Sequence, residues 1–180
     1  MATESSWNTA GIGEVEHGLT FAPSAVRPGD PVLLSGDVGR HGIAIMGTRA
    51  GLSFATAIES DCAPSWKPVG ALVRAGIAIH CLRDLTPGGL RGALIEIAEL
   101  HRFALTLRNL RFRCRKMYLV RARFSDLIPS TLPTKALIAF VPERETARAL
   151  GILSSHSVSG AVRIRQVLEK PRGVVTIRSR

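Results

Sequence analysis

Along the chain, short unbroken apolar runs alternate with stretches whose apolar residues recur every three or four positions, and glycine or proline marks most boundaries. Residues 31–35 form an apolar run behind the turn Pro28-Gly29-Asp30 and predict a strand. Residues 54–59, 77–82 and 137–141 predict further strands on the same grounds. Helical spacing covers residues 41–50, closed by Gly51, and residues 68–75, stopped by Gly76. A third helix is expected to run to about Glu99, with Thr86 as N-cap and Pro87 at the first helical position. A short helix follows over residues 143–150. Residues 162–168 and 173–177 read as two strands of a terminal hairpin joined at Glu169-Lys170-Pro171-Arg172. This order predicts an α+β fold: a mixed sheet with helices packed on one face.

Composition bounds the class. A chain of 180 residues, 46% hydrophobic and 21% charged, buries one real core. Its first residues, Met1-Ala2-Thr3-Glu4-Ser5-Ser6, have neither a basic nor an apolar targeting pattern, and no apolar stretch is long enough to span a bilayer. The expected location is the cytoplasm, away from membranes. Cys62, Cys81 and Cys114 show no paired spacing and no histidine at ligand spacing, so neither a disulfide framework nor a metal site is expected, and each is read as a small buried residue.

The net charge of +10 brings nucleic acid to mind, but its distribution weakens that reading. Between Leu100 and Ser125 stand Arg102, Arg108, Arg111, Arg113, Arg115, Lys116, Arg121 and Arg123, with no acidic residue among them; without those eight, the rest of the chain carries only +2. A small basic nucleic-acid-binding module is the alternative from another functional class. Phe103, Phe112, Tyr118 and Phe124 offer stacking rings for it, yet no groove-reading pattern accompanies them, and no nucleic-acid partner is expected.

Two segments carry candidate chemistry. Gly36 to Gly42 is a glycine-rich strand-to-helix loop in which Gly39 and His41 stand where backbone N–H groups favour an anion; a plain tight turn, with His41 as a structural hydrogen-bonding residue, is the simpler reading. Asp84, Thr86, Gly88 and Gly89 make the better candidate for an anion or substrate site, because a carboxylate and free helix-start amides fall together there. Thr86 as a simple N-cap explains the same residues as well.

In order and spacing, Asn8-Thr9-Ala10-Gly11-Ile12-Gly13, Arg27-Pro28-Gly29-Asp30, Gly39-Arg40-His41-Gly42-Ile43-Ala44-Ile45-Met46, Glu59-Ser60-Asp61-Cys62-Ala63-Pro64 and Arg83-Asp84-Leu85-Thr86-Pro87-Gly88-Gly89-Leu90 resemble the HypE family of hydrogenase maturation proteins. These are carbamoyl dehydratases of the aminoimidazole ribonucleotide synthetase-like superfamily. The resemblance holds over about residues 8–107 and 136–177 and implies the α+β carboxy-terminal domain of that superfamily, with residues 1–13 as the remnant of a junction to an amino-terminal ATP-binding domain and 14–180 as the domain proper. It implies a homodimer working with other hydrogenase maturation proteins. With ATP and magnesium, the family dehydrates a carbamoyl group on a C-terminal cysteine to make the cyanide ligand of [NiFe] hydrogenase. Selenophosphate synthetase is a second relative, disfavoured by Glu59-Ser60-Asp61 and the Asn8 to Gly13 run.

The chain departs from the family in several places. It has no family ATP site and ends without the Pro-Arg-Ile-Cys tail, so it is expected to bind no cofactor alone, to contain no catalytic residue and to be an inactive fragment. Pro87 stands where the family has arginine, with Arg91 a turn further on, and Arg165 replaces a glycine. Residues 108–135 lose the pattern altogether. Read one base out of frame, Arg108 to Cys114 permits Glu-Ser-Ala-Ile-Pro-Val, Arg115 to Tyr118 permits Glu-Asp-Val and Thr131 to Ala136 permits Leu-Ala-Asn-Glu-Gly, all family-like strings; Met1 to Ser6 likewise permits Gly-Asp-Gly-Ile-Phe. Frameshifts are therefore expected, and burying the unpaired charges of this segment would cost several kcal/mol each, so it is expected to loop out from a marginal domain.

Overall fold

The computed structural model describes residues 10–49, 59–101, 103–108, 129–157, 160–170 and 175–178. Six strands are described: β1 (Pro31–Leu34), β2 (Cys81–Asp84), β3 (Leu105–Arg108), β4 (Leu137–Phe140), β5 (Val162–Gln166) and β6 (Val175–Arg178). Four α-helices accompany them: α1 (Arg40–Arg49), α2 (Trp66–Arg74), α3 (Gly89–His101) and α4 (Thr146–Ser155).

The main sheet has the order β2-β4-β1-β5. Its described pairs are all antiparallel, with Val32 opposite Phe140, Leu34 opposite Ile138 and Cys81 opposite Phe140. Among the described residues, parallel pairing is confined to β3 and β6, with Leu105 beside Val175. An antiparallel bridge between Ala104 and Leu168 brings the start of β3 to the end of β5.

The α+β class is as expected, but helices cover both faces of the sheet rather than one. β1 and β4 are the two central strands, and every one of their residues is buried. Alternation then splits them. Val32, Leu34, Ile138 and Phe140 point into a core with Leu90, Ala93, Leu94 and Ile97 of α3. Leu33, Leu137 and Ala139 point the other way, into a core with Leu72 of α2 and Ala149 and Leu153 of α4. The edge strands are only half covered, and β5 alternates exposed arginines (Arg163, Arg165) with part-buried apolar residues.

Among the described residues, the expected terminal hairpin is not formed. β5 pairs with β1 and β6 with β3, so long-range pairing overrides the local turn signal at 169–172. The strand expected over 77–82 starts later, at Cys81. Ahead of it, buried Asp30 takes the Arg27 N–H and the His80 ring, each at 2.7 Å, which pins the loop before β2 to the turn before β1. Because a carboxylate only accepts, Nδ1 is the protonated nitrogen of His80 in this bond. The expected strand at 54–59 lies almost wholly outside the described residues, as do most of the basic residues between 108 and 123.

Residues 129–135 overturn part of the looped-out expectation. They carry a 3-10 turn (Pro129–Thr131) leading into β4, and Ser130 and Thr134 are buried.

Candidate functional site

β1 and β2 both run antiparallel to β4, so they are parallel to one another, and their carboxyl ends meet the start of β4 at one end of the sheet. Both lead through a glycine turn into a helix, α1 after β1 and α3 after β2. Every residue expected at a site falls in one of these two turns. Ligands of sheet proteins gather at strand ends for this reason: loops there are free of ladder bonding and carry helix-start amides.

In the β1–α1 turn, Gly39 takes a positive φ of 80°, which a side chain would strain, and the helix starts at the next residue. Asp37 and Arg40 pair across this turn at 2.9 Å. His41, in the first turn of α1, brings Nδ1 to 2.8 Å from Ser60 Oγ. The Gly42 amide is already given to the Pro133 carbonyl at 2.9 Å, which removes one helix-start donor from any anion at α1.

In the β2–α3 turn, the expected N-cap is not at Thr86. The helix begins at Gly89, because Gly88 and Gly89 both adopt positive φ, 66° and 62°, and the Gly88 carbonyl accepts the Gly92 N–H at 3.0 Å. Thr86 instead gives its backbone N–H to Asp84 Oδ2 at 3.2 Å, closing a small side-chain turn. Asp84 is exposed, and Arg83 beside it reaches Glu96 of α3 at 2.7 Å, tying strand to helix.

What joins the two turns is residues 130–136, a stretch the sequence alone does not mark. Leu85 donates to the Ala136 carbonyl at 3.2 Å, and Thr134 N–H returns to the Leu85 carbonyl at 3.3 Å. The Thr134 hydroxyl lies 2.9 Å from the Asp37 carbonyl and also against Asp61 Oδ2; with a single proton it serves one of them at a time. Lys135 N–H donates to the same Asp61 oxygen at 3.0 Å. The Glu59-Ser60-Asp61-Cys62 motif is thereby fastened to the site through Asp61. The other oxygen of Asp61, one oxygen of Asp37 and the Arg40 Nε are buried with no hydrogen-bond partner among the described residues.

Asp37, Arg40, Ser60, Asp61, Thr134 and Lys135 were not among the expected site residues. The motif around Ser60 and Asp61 was visible in sequence, but only its fold partners turn it into part of a site. The cysteines divide. Cys81 is buried, and its thiol is pushed up to about 11 by burial, opposed in part by Arg83. Cys62 is exposed, contrary to the expectation of a small buried residue, because it follows the Asp61 anchor at the surface. Cys114 lies outside the described residues.

Among the described residues, no group of three or more His, Cys, Asp or Glu side chains converges to hold a metal ion, and no helix is long and apolar enough to cross a membrane.

Residues 27–178 match the family model for the C-terminal domain of AIR synthase related proteins. The carbamoyl dehydratase HypE of Rhodobacter capsulatus is 32% identical over 173 residues, which are 95% of this chain and 51% of that protein. The crystal structure of hydrogenase maturation protein HypE superposes with a TM-score of 0.82 at 32% identity, covering 92% of this chain and 54% of that one. A HypE–HypF complex gives 0.81 at 30% identity over 91% of this chain and 53% of that one, and HypE in complex with ATP gives 0.77 at 32% identity over 87% and 49%. The chain spans about half the length of the curated relatives it matches.

Proposed function

Since the chain belongs to the AIR synthase related proteins through their C-terminal domain, we propose that it acts as the carboxy-terminal domain of a HypE-type carbamoyl dehydratase in hydrogenase maturation. The observation that carries this reading is the 32% identity to the Rhodobacter capsulatus enzyme over 95% of the chain, together with the sheet end at which its motifs meet.

In this role the two turns form one wall of a site for an anionic group. The amides at the starts of α1 and α3 supply partial positive charge, and Gly39, His41, Asp84, Thr86, Gly88 and Gly89 line the approach. Asp61, Thr134 and Lys135 hold the wall together. Residues 130–132 narrow it, since their carbonyls face Gly89, so the backbone freedom of Gly89 serves packing first and ligand approach second.

The described residues do not build a magnesium-nucleotide site: three acidic side chains (Asp37, Asp61, Asp84) lie near the turns, but no metal-holding group forms, and Asp37 is already paired with Arg40. We place ATP in the half of the enzyme that this chain does not match, so that dehydration is expected only of the assembled halves. The partners we propose are that ATP-binding half, a second copy of the assembled enzyme, and other hydrogenase maturation proteins, in the cytoplasm.

The test is association. Mixed with the separately produced ATP-binding half of the Rhodobacter capsulatus relative, the chain should co-elute in size-exclusion chromatography and bind ATP only as the pair. Saturable ATP turnover by the chain alone, or no association, would count against the reading.

A further inference from the structure

The segment from residue 59 to residue 65 has neither helix nor strand, and every residue in it except Asp61 is exposed. Side chains tie it to the site. Asp61 Oδ2 accepts the Lys135 N–H at 3.0 Å and lies against the Thr134 hydroxyl, while Ser60 Oγ lies 2.8 Å from His41 Nδ1. Thr134 stands between the two turns: its hydroxyl is 2.9 Å from the Asp37 carbonyl in one, and its N–H is 3.3 Å from the Leu85 carbonyl at the head of the other. The segment therefore crosses the wall where the turns meet, and it puts a carboxylate there.

That carboxylate is loosely held. Asp37 is paired with Arg40, but Asp61 has no ion pair among the described residues, and its second oxygen is buried without a hydrogen-bond partner among them. An oxygen in that condition has given up water and gained no donor in exchange, which weakens the closed position. The Thr134 contact adds little, because the hydroxyl has one proton and a second acceptor ready in the Asp37 carbonyl. When the segment leaves, Thr134 turns to Asp37, and of the two donors on Asp61 only the Lys135 N–H has to find water. An anion at the turns meets Asp61 as a like charge, which makes holding both at once unfavourable.

We propose that residues 59–62 are an autoinhibitory strap: Asp61 fastens it across the two turns, and an anionic group binds there by driving it off. The inference rests on the anionic-site reading above and adds how that site is regulated. Release also takes Ser60 away from His41, which frees the ring nitrogen at the start of α1. Asp61 thus has two effects of opposite sign, stabilising the fold and opposing the ligand.

The test is a titration of the full chain with inorganic phosphate, read at the backbone amides by NMR. In the wild-type chain the amides of Ser60, Asp61 and Cys62 should move toward unstructured positions, with the same midpoint as those of Gly88 and Gly89. Asp61→Asn should bind phosphate about tenfold more tightly, the effect of removing one like charge at close range. Thr134→Val keeps that charge and loosens only its fastening, so it should tighten binding by about twofold to tenfold, where a simple charge effect would leave it unmoved. Three results would overturn the strap and leave the anionic site standing: strap amides that stay in place while Gly88 and Gly89 shift, Asp61→Asn binding no tighter than wild type, or Thr134→Val at wild-type affinity. No saturable shift at the two turns in either the wild type or Asp61→Asn would overturn the site itself, and the strap with it.

Discussion

A side-chain carbon placed on Gly89 would stand 2.6 Å from the Leu132 carbonyl oxygen and 2.7 Å from that of Ser130. Neither oxygen belongs to a flexible side chain, so the clash has no cheap relief, and the positive φ of Gly89 adds backbone strain. Gly89→Ala should therefore destabilise the domain by about 2–4 kcal/mol, combining steric displacement with an unfavourable left-handed conformation. Urea unfolding followed by circular dichroism measures it. A loss below about 0.5 kcal/mol, the range of an ordinary surface change, would mean that residues 130–132 do not pack on α3.

The second prediction concerns Asp61, which ties three separate segments together through Thr134 and Lys135. Asp61→Ala leaves the Lys135 backbone N–H short of an acceptor and turns the Thr134 hydroxyl over to the Asp37 carbonyl alone, and should cost about 1–3 kcal/mol. Thr134→Val keeps the shape and should cost less than that. The two changes should be non-additive by at least about 0.5 kcal/mol in a double-mutant cycle, since they remove the same bond. Strict additivity would show that the bond does not form.

Cys81 gives a prediction in pH. Its thiol is held protonated in the fold, pushed up to about 11 by burial, while the unfolded chain releases that proton at a lower pH. Between the two values the folded state binds more protons than the unfolded one, so stability falls as pH rises. The contribution is fully present below the ordinary thiol range and is lost as pH passes through about 11; its size is on the order of 2–3 kcal/mol. Cys81→Ala should flatten that part of the stability curve, as denaturant midpoints at pH 8 and pH 10.5 will show. A parallel loss in both proteins over this interval would assign the alkaline effect to other groups.

Much of the fold is written in local pattern. The runs at Val32-Leu33-Leu34 and Leu137-Ile138-Ala139-Phe140 announce strands, and Gly76 stops α2 where a C-terminal glycine should. The same runs also carried the signal for helices on both faces, because strands apolar at every position are buried on both sides. The hairpin expectation failed for a different reason: the turn at 169–172 is a local feature, whereas the pairing of β5 with β1 and of β6 with β3 is decided by residues far away in sequence. The motif from Asp84 to Gly89 could be placed on a helix start, but not to the residue, since two positive-φ glycines delay the helix. Thr134 and Lys135 were invisible as site residues. They lie in a stretch with no steady period, and their role rests on contacts with Asp61, some seventy positions earlier.

In the proposed function, the two turns at the carboxyl ends of β1 and β2 face one anionic ligand. Backbone amide NMR of the whole chain, titrated with inorganic phosphate, tests it directly. Saturable shifts should appear together at the amides of Gly39, His41, Gly88 and Gly89, with one common midpoint, as expected for helix-start amides around a single anion. Shifts confined to the arginine-rich residues 108–123, or two unrelated midpoints for the two turns, would contradict it.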